Sequence, residues 1–210
     1  MTGHIFFLEC KNQQCKFRFP LDLSMYEGSF CPRCGADLEK VTPQVSQWKP
    51  GSGLSTKAQV VGILDNIRSA QNVGSIFRTS EAAGIARLYL CGLTPSPLGN
   101  HNLSKSALGS EERVAWSAHN NTVQVVRLLK SEGYQIFALE CLPEAENLFS
   151  PLQSGIPGKF ALIVGNEPAG VDPGILTLAN RVLYIPMAGQ KTSLNVAVAF
   201  GIAVYGLLSA

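Results

Sequence analysis

Ile185-Pro186-Met187-Ala188-Gly189-Gln190-Lys191-Thr192-Ser193-Leu194-Asn195-Val196, with the apolar run that follows to Ala210, is the stretch on which the reading of this chain turns. The short apolar segment Arg181 to Ile185 predicts a strand that ends at Pro186, which has no amide proton to give to a sheet ladder. A glycine-bearing turn comes next. The segment from Leu194 to Leu208 is then apolar on every side, the pattern of a buried helix rather than a surface one. Strand, polar loop and buried helix put Ser193 and Asn195 at a joint where a loop on a rigid scaffold can present polar groups to a ligand. The same residues also suit an ordinary cap, with Thr192 or Ser193 accepting from orphan amides and Asn195 falling in the first turn.

The 210 residues suit one domain of ordinary size plus an attachment, or two small domains. Hydrophobic content of 46% against 15% charged residues fills a core and excludes wholesale disorder. A formal charge of +2 permits a nucleic-acid partner without arguing for one. No secretory signal pattern opens the chain, and Gly201 and Gly206 interrupt the C-terminal apolar run, which reads as a buried helix rather than a membrane span. A soluble cytoplasmic protein is the expectation.

Four of the six cysteines fall before residue 35. Cys31-Pro32-Arg33-Cys34-Gly35 is a C-x-x-C-G knuckle that aims two thiolates at one point, and Cys10 and Cys15 form a looser C-x₄-C pair. Together Cys10, Cys15, Cys31 and Cys34 predict a structural zinc ion in a ribbon over residues 1–42, a segment with too little core to fold unaided. Reduced, metal-free thiols are the alternative. Lys11, Lys16, Phe17, Arg18 and Arg33 could contact RNA from such a ribbon, or Phe17, Phe19 and Leu21 could simply fill it. Cys91 and Cys141, isolated among apolar neighbours, read as inert core.

Residues 43–57, rich in proline, glycine and serine, read as a linker in which Trp48 is expected to pack on something. From residue 58 to 210, apolar runs alternate with amphipathic segments. Strands are predicted near Val60–Leu64, Arg87–Cys91, Tyr134–Leu139, Phe160–Val164 and Arg181–Ile185. Helices are predicted near Gly74–Ala83, Thr122–Glu132, Pro173–Ala179 and Leu194–Leu208. Such alternation implies an α/β fold with a parallel sheet and helices on both faces.

Two further stretches could carry chemistry. In Asp65 to Gly84, Asn72 is placed to cap a helix and Arg78 follows on a largely apolar segment. Arg78 either pairs with Glu81 or offers its guanidinium fork to phosphate. In Val164-Gly165-Asn166-Glu167-Pro168-Ala169-Gly170, an apolar strand runs into small and acidic residues, where open α/β sheets bind ligands. Gly165 would admit a close backbone approach, and Glu167 could alternatively cap the helix near 173.

Asn72-x-Gly74 with Arg78, then Gly165-Asn166-Glu167 with Gly170, then Ile185-Pro186-Met187 through Ser193-Leu194-Asn195-Val196, resemble in order and spacing the three motifs of the SPOUT methyltransferases, TrmH or SpoU branch. The segment Ser104 to Glu111 looks like a further family feature; Pro168, where the family often has glycine, departs from it. The resemblance spans roughly residues 58–208 and leaves the ribbon uncovered. It implies a C-terminal deep trefoil knot, S-adenosylmethionine as cofactor, a homodimer, and methylation of a ribose 2′-hydroxyl in tRNA or rRNA, with neither membrane nor DNA as partner. It further implies Asn72, Arg78, Glu167, Ser193 and Asn195 as the polar active-site set. Val164, Gly165, Asn166, Ile185, Met187, Ala188, Gly189, Ser193 and Leu194 would lie about the cofactor. Guanidinium hardly deprotonates in proteins, so Arg78 is expected to clamp phosphate rather than act as base.

A ribbon and knot that bind RNA without transfer, base-directed methylation, and a dinucleotide-dependent oxidoreductase are the rivals. The last lacks its glycine fingerprint after the first strand.

Overall fold

A computed structural model describes residues 4–44, 58–151 and 155–209. The chain divides into two compact units, residues 1–52 and 53–210. From residue 45 to 57 the expected linker, with Trp48, lies outside the described residues.

The N-terminal unit is a three-stranded antiparallel sheet of β1 (Ile5–Cys10), β2 (Arg18–Asp22) and β3 (Leu38–Pro43), in the order β2-β1-β3. Its strands are short and mostly half exposed, with Leu8, Cys10 and Cys31 as the buried apolar residues. So small a core cannot stabilise an independent sheet by burial alone.

The second unit holds seven strands: β4 (Gln59–Asp65), β5 (Arg87–Cys91), β6 (Ala115–His119), β7 (Gln135–Leu139), β8 (Glu146–Asn147), β9 (Lys159–Val164) and β10 (Arg181–Tyr184). Their order is β6-β5-β4-β9-β7-β10-β8, and every pairing is parallel. Helices α1 (Ala70–Ala83), α2 (His101–Ala107), α3 (Thr122–Ser131), α4 (Pro173–Leu176) and α5 (Val196–Leu208) complete it. The central strands alternate between two cores. Val60, Leu64, Phe160, Leu162 and Val164 join α1 and α5, whereas Val61, Ile63, Ala161 and Ile163 join α3 and α4. A sheet covered on both faces needs apolar residues at successive positions, which is why β4 and β9 read as unbroken apolar runs. Phe200 of α5 is fully buried over Gly62 of β4, where any side chain would meet it and Leu88.

The predicted strands lie within a residue or two of those observed. Three helix boundaries differ. The first helix begins at Ala70, not Gly74, because Ser69 rather than Asn72 is its cap and accepts from the Asn72 amide. The last begins at Val196, capped by Asn195 rather than by Thr192 or Ser193. The short α4 ends at Leu176. Strand β6, the two-residue strand β8 and helix α2 lie outside the predicted elements: Ala115–His119 lacks a strong apolar period, β8 is too short to show one, and α2 is a polar heptad held through buried Leu103 and Ala107. Gly74 permits that packing, since a side chain there would collide with the Leu103 carbonyl and Ser106.

The apolar C-terminal segment gives a thirteen-residue helix, and among the described residues no helix is long and apolar enough to cross a membrane. The segment between β7 and β9 touches both ends of the terminal segment. The Cys141 thiol approaches the Thr192 carbonyl at 3.5 Å, and Leu148 and Phe149 border Gly206.

Candidate active site

The carboxyl ends of β9, β7 and β10 open onto a cavity of about 320 Å³, walled also by the first turn of α5. Its volume lies at the small end of the range for ligand pockets. Val164, Gly165, Asn166, Glu167, Ile185, Met187, Ser193, Leu194 and Asn195 line it; Ala188 and Gly189 lie exposed in the β10–α5 loop outside the lining. The strand tips at Gly165 and Ile185 are not adjacent in the sheet. Strand β7 runs between β9 and β10, so its end, Leu139-Glu140-Cys141, supplies a third wall. Cys141 is exposed there rather than inert in the core, whereas burial pushes the Cys91 thiol up to about 12.

The glycines of the β9–α4 loop serve its own turn. Asn166 and Gly170 pair through both backbone groups, at 3.0 and 2.8 Å, and a side chain at Gly165 would strike the Gly170–Val171 backbone. Gly165 is thus required by the hairpin itself. Asn166 fastens the hairpin to β4 by donating to the Asn66 carbonyl at 2.7 Å. Beneath it Asp65, only 2% exposed, accepts from the Thr122 hydroxyl at 2.6 Å and the Asp172 amide at 3.1 Å. Asp172, not Glu167, caps α4.

Glu167 instead reaches α1. It accepts from the amides of Arg68 (3.0 Å) and Ser69 (3.2 Å) and from the Asn72 side chain (3.1 Å). Asn72 in turn accepts from the side-chain amide of Asn195 at 3.0 Å, while the Asn195 carbonyl caps α5 through the amides of Ala197 and Val198. Asn72, Glu167 and Asn195 are therefore one hydrogen-bonded chain. Burial raises the proton affinity of Glu167, but the donors from Arg68, Ser69 and Asn72, with its own amide, outweigh it and hold the carboxyl below its ordinary range. Ionised and held by three donors, Glu167 is suited to anchor rather than to take a proton.

Ser193 lines the cavity and makes no side-chain hydrogen bond among the described residues. Arg78 lies elsewhere, on the solvent face of α1 and about 9 Å along the axis from Asn72. The expected partner Glu81 is engaged by Ser110 and by Arg113 at 2.7 Å, which leaves the guanidinium of Arg78 without a described partner. A shallow depression bounded by Arg68, Ser69, Asn72 and Glu167 adjoins the cavity. Sequence reading missed Arg68, Glu140 and Tyr184. The one available signal was their position at or just beyond strand ends.

In the N-terminal unit the sulfurs of Cys10, Cys15, Cys31 and Cys34 all lie within 4.8 Å of one another, with Cys10–Cys34 at 3.5 Å and Cys15–Cys31 at 3.9 Å. Tetrahedral arms of about 2.3 Å would separate sulfurs by about 3.8 Å, so the set could hold a metal ion. Lys16 and Arg18 both face Glu9, and Phe17 stacks on Phe19 beneath Arg33, so these groups are largely occupied within the ribbon.

The site is thus a cavity at the strand ends of a parallel α/β sheet, walled by a Gly-Asn-Glu hairpin and an asparagine-capped terminal helix. Residues 59–205 match the SpoU rRNA Methylase family, and the chain belongs to it. It is 35% identical over 165 residues to the 23S rRNA (guanosine(2553)-2′-O)-methyltransferase RlmP of Bacillus subtilis, covering 75% of this chain and 61% of that one. It is 34% identical to the tRNA (guanosine(18)-2′-O)-methyltransferase of Aquifex aeolicus, covering 67% of this chain and 64% of the relative. The match thus spans under two thirds of either relative's length. Among solved structures, the A. aeolicus TrmH/SpoU tRNA modifying enzyme superposes with a TM-score of 0.64 at 32% identity, covering 73% of this chain and 76% of that one. An AdoMet-bound rRNA methyltransferase from Sinorhizobium meliloti shares the fold at a TM-score of 0.66 and 24% identity, covering 83% and 64%.

Because the Glu167 carboxyl titrates lower when folded, its contribution to stability is complete above the unfolded carboxylate range and is lost as pH falls through the folded value. Glu167→Gln is expected to destabilise the domain at pH 7 by on the order of 1 kcal/mol, discounted for exposure. Urea denaturation of both proteins between pH 7 and pH 3 should find that gap closing in the acid range. A gap independent of pH would contradict the assignment.

Proposed function

We propose that the chain is an S-adenosylmethionine-dependent methyltransferase acting on a ribose 2′-hydroxyl of tRNA or rRNA. The observation that carries this reading is the chain Asn195–Asn72–Glu167, which ties the cavity's rim to the helix that bears Arg78. The cavity fits the donor in kind: apolar walls from Ile185, Leu194 and Met187, polar backbone at Gly165, and carboxylates for a cationic ligand. When bound, the cofactor supplies an already activated methyl group, so the protein's task is alignment and proton removal. Asn195 and Ser193 hold the ligand end of the cavity, and Asn72, fixed by both neighbours, presents its amide to the adjoining depression. Arg78 and Arg68 clamp substrate phosphate as planar forks, and the hydroxyl proton passes to phosphate or water.

The curated relatives are named as guanosine 2′-O-methyltransferases of 23S rRNA and tRNA, which supports the substrate class. The exposed apolar residues Leu194, Val198 and Tyr205, on or beside α5, suit a second copy of this chain, in keeping with a homodimer. The four-thiol cluster suits a structural zinc ion and a reducing cytoplasm, and the trefoil crossing belongs to the same reading.

Two tests apply. Methyl transfer from tritiated S-adenosylmethionine to bulk RNA is expected for the wild type. In Arg78→Ala it should fall at least about a hundredfold with cofactor affinity nearly unchanged. Equal turnover in the variant would end the arginine's assignment, and label on bases alone would end the ribose assignment. Elemental analysis should find one zinc per chain in the wild type and none in Cys31→Ser; a metal-free wild type with an intact ribbon sheet would refute the zinc site.

A further inference from the structure

We infer that the cavity discriminates by charge, and that Glu140 makes it favour a cationic sulfonium donor over the uncharged thioether that remains after transfer. The inference rests on the S-adenosylmethionine reading above and adds a determinant to it. Two carboxylates, Glu140 and Glu167, line the cavity, and among the described residues no lysine, arginine or histidine does. The charge on Glu167 is spent on three donors from the start of α1. Glu140 is held differently, by the amides of Val171 and Cys141, each at 2.9 Å, one to each oxygen. Each oxygen therefore keeps acceptor capacity, and Glu140 forms no ion pair among the described residues. The carboxylate also packs closely against Gly170, where any side chain would collide with it.

The positive pole on the wall is the first turn of α5, where Val196 lines the cavity and Asn195 already satisfies the amides of Ala197 and Val198. A half-charge there does not balance the carboxylate of Glu140, so that wall of the cavity is net negative. In a partly enclosed site such a field acts on a ligand's charge more strongly than it would in water. Methyl transfer changes that charge. The carbon–sulfur bond breaks with its electron pair left on sulfur, the methyl carbon bonds to the ribose oxygen, and the hydroxyl proton leaves to phosphate or solvent. The sulfur ligand goes from cation to neutral thioether, and the attraction of Glu140 for it lapses. Product is released from a wall that no longer holds it.

Isothermal titration of the full chain with S-adenosylmethionine, sinefungin and S-adenosylhomocysteine tests this without reference to turnover. Sinefungin has carbon in place of the sulfur and carries an ammonium where the donor has its methyl group. In the wild type both cationic ligands should bind more tightly than the thioether by on the order of tenfold, equivalent to about 1.4 kcal/mol. Glu140→Gln should bring that ratio toward one while Glu140→Asp retains it. Wild-type affinity for the thioether equal to or above that for the sulfonium would overturn the inference, and so would a Gln variant that weakens all three ligands in equal proportion. Wild-type binding of none of the three would instead remove the cofactor reading on which it stands.

Discussion

Two side-chain hydrogen bonds, from Asn195 to Asn72 and from Asn72 to Glu167, join segments 123 and 95 residues apart, and the site depends on them. Each member is also tied to a helix start. Asn195 caps α5, Asn72 sits in the first turn of α1, and Glu167 satisfies amides at the approach to α1 that have no partner within the helix. Such a chain fixes orientation because rotating any one amide would leave a donor or acceptor without its partner. The terminal loop, the β9 hairpin and the first helix are thereby set relative to one another before any ligand arrives.

The sheet determines where this can happen. Parallel strands covered on both faces leave their carboxyl ends as the open edge, and the order β4-β9-β7-β10 brings three of those ends together. Asp65 braces the floor: one buried carboxylate ties the end of β4 to the start of α3 and to the loop before α4. Charge is then partitioned. Carboxylates line the cavity, whereas Arg68 stands at the adjoining depression and Arg78 on the outer face of α1, so the arginines lie outside the cavity wall.

Much of this was legible in the residues. The apolar runs at Val60–Leu64 and Phe160–Val164 gave buried parallel strands, and the proline, glycine and asparagine of the final loop gave the strand, turn and helix at the joint. The positions of Asn72, Glu167 and Asn195 followed from their motifs, but their mutual bonding did not, since periodicity says nothing about contacts a hundred residues apart. Strand order was equally hidden. Placing β7 between β9 and β10 is a tertiary choice, and it is why Glu140 and Cys141 escaped notice as cavity residues. Caps were misassigned by a few residues because serine, threonine and asparagine stand close together at both helix starts and any of them can accept an amide. Helix α2 is too short and polar to announce itself, and is made by its packing on Gly74.

The central claim is that three strand ends and the α5 cap form one cofactor site. Hydrogen exchange followed by mass spectrometry, with and without S-adenosylmethionine, addresses it directly. The account predicts slowed exchange together in residues 139–141, 164–171 and 185–196, with the ribbon strands β1 to β3 unchanged. Unaltered exchange at 185–196 under saturating cofactor, or protection confined to the ribbon, would contradict it.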